Sequence, residues 1–124
     1  MQGIAENNAF TITISSLAML IALPSMAQDS LASRIDTLIV SIEESGCRFV
    51  RNGKVYPPSE SVAHIKKKYK YFRDDIDSID KFIELSASKS LISGKPYYVD
   101  CDHSERQASA TWLRTKASEL GISQ

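Results

Sequence analysis

Two cysteines in 124 residues, Cys47 and Cys101, are too few for a disulfide-rich mini-scaffold and just enough for one bridge. An excess of either charge sign is missing too. Fifteen basic side chains cancel fifteen acidic ones, and the isoelectric point lies near 6.7. That balance lacks the broad basic field with which a dedicated nucleic-acid binder displaces counterions, so no nucleic acid is expected among the partners. The patterns C-x-x-C, H-x3-H, H-E-x-x-H, G-x-S-x-G and G-x-x-x-x-G-K-[ST] do not occur. The usual signatures of zinc sites, zinc proteases, serine hydrolases and phosphate loops are therefore absent. No repeat or long low-complexity segment interrupts the chain.

What is present is ordinary globular material: 43% hydrophobic and 24% charged residues, enough for one small domain. The beginning differs in kind. Ala9 to Leu23 is an uncharged apolar run, followed by Pro24-Ser25-Met26-Ala27-Gln28. The small residues Ser25 and Ala27 flank a larger Met26, the small-x-small pattern of a signal-peptidase site. As a helix the run would reach roughly 22 Å at 1.5 Å per residue, short of the roughly 30 Å hydrocarbon core. The expectation is a signal peptide over 1–27 and a single exported domain over 28–124, with a formal charge of +1 once Glu6 is gone. The first eight residues carry Glu6 and no Lys or Arg, so an uncleaved N-terminal anchor is the alternative, and membrane contact is expected only through that segment.

Leu31, Ile35, Leu38 and Ile42 recur at spacings of four, three and four within 29–45, one stripe of an amphipathic helix. Asp29 or Ser30 can cap it and Gly46 can end it. Phe49 and Val50 precede Asn52-Gly53, and Val55 and Tyr56 follow; both turn residues accept the positive φ of a type I′ turn. A hairpin of 47–51 with 54–57 is predicted, stopped by Pro57 and Pro58. Val62, Ile65, Tyr69, Phe72 and Ile76 make a second helical stripe over 59–75, with Lys66, Lys67, Lys70 and Asp74 opposite. A third helix starts at Ser78 and buries Ile79, Phe82, Ile83 and Ala87. After a Ser/Gly loop, Pro96 to Val99 reads as a strand added to the hairpin. Ser104 with Gln107 reads as a capping box opening a last helix whose inward side chains are Ala108, Trp112, Leu113 and Leu120, with Gly121 at its end. The fold class is α+β: about four helices on a small antiparallel sheet made of the hairpin plus one strand, with a mainly α bundle as the alternative.

Asp100-Cys101-Asp102-His103 packs two carboxylates, a thiol and an imidazole together. Adjacent side chains cannot all converge on one ion, so a zinc reading would need Cys47, His64, Cys101 and His103. A thiol nucleophile would need His64 or His103 as its base. The reading adopted is a Cys47–Cys101 disulfide, because the two cysteines flank strands predicted to be neighbours. Such a bridge closes a long loop, worth roughly 4 kcal/mol on the chain-entropy estimate. The run His64 to Asp75 interleaves lysines with Tyr69, Tyr71 and Phe72; it suits an anionic partner, or simply a solvated helix face. Arg51-Asn52-Gly53 is an anion site or a plain turn. Ser93-Gly94-Lys95-Pro96 is a turn before a strand.

Taken together, Phe49-Val50-Arg51-Asn52-Gly53, His64-Ile65 with Lys68, Phe82-Ile83, Ala87-Ser88-Lys89-Ser90, Ser93-Gly94-Lys95-Pro96-Tyr97 and Trp112-Leu113 resemble the YfeK-like family, small exported bacterial proteins whose domain has no known function. The similarity spans about 49–113, and the cysteine pair is not part of its pattern. It implies a Gram-negative periplasmic protein and supplies no activity, substrate or catalytic residue. The expectation is a non-enzymatic binding or interaction module of the cell envelope. Its surface would gather Arg51, Asn52, His64, Lys95 and Tyr97, with no catalytic residue, no metal ligand, no cofactor, and an unidentified envelope protein or ligand as partner. A small thiol- or His-dependent hydrolase and a zinc-holding domain are the alternatives.

Overall fold

The computed structural model describes residues 29–124 and six isolated positions before them: Gly3, Ser15, Ser16, Ala18, Met19 and Ile21. The signal segment expected over 1–27 otherwise lies outside the described residues. Among the described residues no helix is long and apolar enough to cross a membrane.

Helix α1 spans Leu31–Glu44. The Ser30 hydroxyl accepts the Ser33 amide at 3.2 Å, satisfying one donor of the first turn. The predicted stripe is its buried face: Ile35, Leu38, Ile39 and Ile42. Gly46, at φ +67°, turns the chain out of the helix. Strands β1 (Arg48–Arg51) and β2 (Lys54–Tyr56) form the hairpin. Asn52 and Gly53 carry φ of +50° and +77°, the two positive values a type I′ turn demands. Helix α2 (Pro58–Phe72) follows, with Pro58 in its first turn, where a missing N–H costs nothing; a 3₁₀ turn covers Arg73–Asp75. Helix α3 (Ile79–Ala87) is capped by Ser78, whose hydroxyl accepts the Lys81 amide at 3.0 Å.

The sheet is antiparallel throughout, in the order β2-β1-β3-β4, with β3 at Tyr98–Asp100 and β4 at Gln107–Ala108. Helices α1, α2, α3 and α4 (Ser109–Glu119) pack into one core with Phe49 and Val99 from the sheet. The Phe49 ring meets Trp112 edge-on at 5.8 Å, and Tyr69 meets Phe82 edge-on at 5.4 Å.

One register organises both ends of the domain. Phe49 lies opposite Val99 in the β1–β3 ladder. Alternation then places Cys47 opposite Cys101 at one end and Arg51 opposite Tyr97 at the other, all on the helix-covered side. The cysteines are joined, with Cα atoms 4.4 Å apart, the spacing of a narrow, non-hydrogen-bonded antiparallel pair. The same ladder therefore closes the bridge and sets an arginine against a tyrosine at the far end.

Three details depart from the sequence expectation. The last helix begins at Ser109, not Ser104, and Gln107 belongs to a fourth strand opposite Val99 rather than to a capping box. The open edge of β3 supplies the reason: its backbone groups find partners in residues 107–108, and Arg106 grips Asp100 with two hydrogen bonds of 2.8 and 2.7 Å. Leu120 is exposed, while Ile122 is buried. At Gly121 the amides of Gly121 and Ile122 reach back to Ser118 and Ala117, a Schellman turn that folds Ile122 into the core in Leu120's place. Finally, the third strand starts at Tyr98 rather than Pro96. Pro96 instead bridges to Lys89 and closes the Ser/Gly loop on itself.

Candidate functional site

At the end of the ladder opposite the disulfide, the hairpin, α2 and the 88–97 loop enclose a cavity of about 260 Å³. Arg51, Asn52 and Tyr56 come from the hairpin and His64 and Lys68 from α2; Ser90, Leu91, Ile92 and Tyr97 complete it. The spacing of four between His64 and Lys68 puts both on one side of the helix, one turn apart. Four of the five residues expected from sequence thus meet. Lys95 does not: it lines a smaller neighbouring groove with Gly53, Tyr98 and Arg106, touching the first only through shared Asn52.

The walls are fixed by specific contacts. The Arg51 guanidinium stacks over the Tyr56 ring, 4.0 Å from its centroid, and its buried Nε has no hydrogen-bond partner among the described residues. His64 Nε2 and the Tyr97 hydroxyl are hydrogen-bonded at 3.2 Å. Lys68 is only 7% exposed. Its ammonium donates to the Lys89 carbonyl at 2.7 Å and lies 5.0 Å from the centroid of the Tyr97 ring. The Ser93 hydroxyl donates to Asn52 Oδ1 at 2.7 Å, tying the loop to the hairpin turn.

Among the described residues no carboxylate lines this cavity, and neither Arg51 nor Lys68 makes an ion pair. The electrostatics follow. Burial first, then the charges of Arg51, Lys68 and Lys67, push His64 down to about 4, so the imidazole is neutral at neutral pH. Burial and then Arg51 and Lys89 lower Lys68 to about 8. Burial raises Tyr97 against the pull of Arg51, keeping its hydroxyl protonated. Such a site can bind an anion through Arg51, the Lys68 ammonium and the Tyr97 hydroxyl.

Sequence reasoning missed Lys68, Tyr56 and the Ser90–Ile92 loop tip. Lys68 carried a usable signal: it stands three residues after Ile65 and six after Val62, at the edge of the buried stripe rather than opposite it. His103 is exposed at φ +62° in the turn after β3. Both cysteines are bonded to each other, so neither the Cys47/His64/Cys101/His103 zinc set nor a thiol nucleophile is available in this state.

The fold and the site define a small disulfide-bridged α+β domain with a cationic cleft at one end of its central ladder. The chain belongs to the family described as "Family of unknown function (DUF5329)", which matches residues 29–121. It is 34% identical over 89 residues to "Uncharacterized protein YfeK" of Salmonella typhimurium strain LT2, an alignment that covers 69% of this chain and 74% of that protein. No solved structure matches it.

Proposed function

We propose that this is an exported, non-enzymatic binding module of the bacterial cell envelope whose cleft receives an anionic group. The observation that carries the reading is Lys68, nine-tenths buried in a cavity that no carboxylate among the described residues lines, and sharing it with Arg51. Burying an ammonium beside a guanidinium is unfavourable in the free protein, and a bound phosphate or carboxylate would relieve it with charge-assisted hydrogen bonds. Export is supported by the apolar segment before the domain and by the Cys47–Cys101 bridge, since such bonds persist in oxidising compartments. The reading as a binding module is supported by Ser90, the serine of the cleft, which accepts the Ile92 and Ser93 amides as the anchor of a turn.

Thermal unfolding with inorganic phosphate, compared with chloride at equal ionic strength, tests the reading. An anion at one hundred times its Kd should stabilise the wild-type fold by about 2.7 kcal/mol. Lys68→Met and Arg51→Leu should each remove most of that gain. Equal phosphate responses in the wild type and both variants would exclude the cleft as the anion site.

A further inference from the structure

We propose that the protein docks through this cleft on an anionic phospholipid surface, a headgroup phosphate entering between Arg51 and Lys68 while Leu91, Ile92 and Tyr71 enter the edge of the acyl layer. The inference rests on the anion reading above and names its partner.

Independent observations lie around the mouth of the cleft. A groove of about 530 Å³ runs from it along α2, sharing His64, Lys68 and Leu91 and continuing past Tyr71 and Phe72. Ile92 is fully exposed at the loop tip, with Leu91 beside it and Tyr71 80% exposed across the groove. Single exposed apolar side chains are ordinary, but three around one opening mark a surface that is covered by something. The loop holds them out by design of its hydrogen bonds. The Ser90 amide donates to the Lys95 carbonyl at 3.0 Å, the Gly94 amide to the Ser90 carbonyl at 2.9 Å, and the Ser90 hydroxyl accepts the Ile92 and Ser93 amides. The tip cannot fold back to hide Leu91 and Ile92 without breaking these.

Charge says what the cover is. Lys89 and Lys95 flank the loop, Lys67 and Lys70 line the groove, and Arg51 and Lys68 stand at its inner end. From Ser61 to Phe72 and from Leu85 to Val99 there is no acidic residue. Apolar tips surrounded by long basic side chains match the layering of a bilayer surface: acyl chains below, phosphates at the level of the ammonium groups. The opposite, uncovered face of the sheet has no such layering, because Arg48 and Arg106 there stand with Asp100 around Val50 and Tyr98.

Co-sedimentation of the purified protein with vesicles tests this. Wild-type protein should sediment with phosphatidylglycerol vesicles and stay in solution with pure phosphatidylcholine, and high salt should release it. Tyr71→Ser, a change to an exposed side chain outside the cleft, should weaken vesicle binding severalfold and leave stabilisation by inorganic phosphate intact, and the uncharged loop variant Leu91→Ser/Ile92→Ser should weaken vesicle binding at least tenfold. Lys68→Met should weaken both. Phosphate stabilisation without vesicle binding would overturn membrane docking and spare the anion site. Vesicle binding indifferent to the loop substitutions would also overturn it. Loss of both responses in the wild type would remove the two readings together.

Discussion

Replacing both cysteines by alanine should cost this domain a large part of its stability. The bridge spans 54 residues of sequence. For a loop of that length the chain-entropy relation gives about 14 cal/mol/K, or about 4 kcal/mol at 25 °C. Cys47 is buried in the core cluster, so the void left by its sulfur adds about 1 kcal/mol. Small domains have a total stability of roughly 5–15 kcal/mol. Trp112 is the chain's single tryptophan and packs edge-on against Phe49, which makes its fluorescence a direct reporter of the core. In urea, with m of about 2 kcal/mol/M, the combined loss of about 5 kcal/mol should lower the midpoint by about 2.5 M. The anion cleft should keep its phosphate affinity in the fraction that remains folded, because the β1–β3 ladder, not the sulfur link, sets Arg51 opposite Tyr97. A midpoint shift below about 0.5 M, a loss of about 1 kcal/mol at that m, would refute the loop-entropy reasoning. Phosphate affinity falling in step with bridge loss would refute the independence of the two ladder ends.

Lys68→Met should alter the pH profile of stability in a defined direction. The folded-state pKa of about 8 lies below the ordinary 10.5, so between those values the unfolded chain binds more protons and wild-type stability rises with pH relative to the variant. Paired denaturation curves at pH 7 and pH 10 read the difference, and a constant gap between the two proteins would contradict the burial of the ammonium. His64→Gln should behave likewise at the acid end. With a folded value of about 4 against 6.5 unfolded, wild-type stability is lost relative to the variant as pH falls from 6.5 towards 4. An NMR titration in which His64 protonates near 6.5 in the folded protein would sink that expectation. Gly53→Ala should destabilise by about 1–2 kcal/mol through left-handed backbone strain alone, since a Cβ there meets no atom within 4 Å. Calorimetry showing no loss would mean the hairpin turn is not held at its positive φ.

Local rules made much of the architecture legible. Apolar side chains recurring every three or four residues identify the buried faces of α1, α2 and α3, because such spacing has one geometric solution. Asn52-Gly53 marks the hairpin because few other residue pairs tolerate two positive φ values in succession. The fourth strand was not legible. Two residues carry no period, and Ser104 with Gln107 satisfies the capping-box pattern equally well; the choice is made by an unpaired edge of β3 that lies far from any local signal. Leu120 and Ile122 are equally apolar, and only the Schellman turn at Gly121 decides which one is buried. The cleft was half legible. Arg51, Asn52, His64 and Tyr97 stood out as polar or aromatic groups at turns and strand ends, whereas Lys95 points to a separate groove and Lys68 to the interior.

Composition, periodicity and turn chemistry therefore determined the kind of protein this is: a small α+β domain with one available cross-link and the residues of a cationic patch. The tertiary structure decided what those residues face. The register of β1 on β3 joins Cys47 to Cys101 and, by the same alternation, turns Arg51 inward beside Tyr97, while the approach of the 88–97 loop brings the Lys89 carbonyl to the Lys68 ammonium at the cleft wall. Side-chain type is written locally, but burial of a charge depends on which distant segment comes to cover it, and that is a property of the assembled chain.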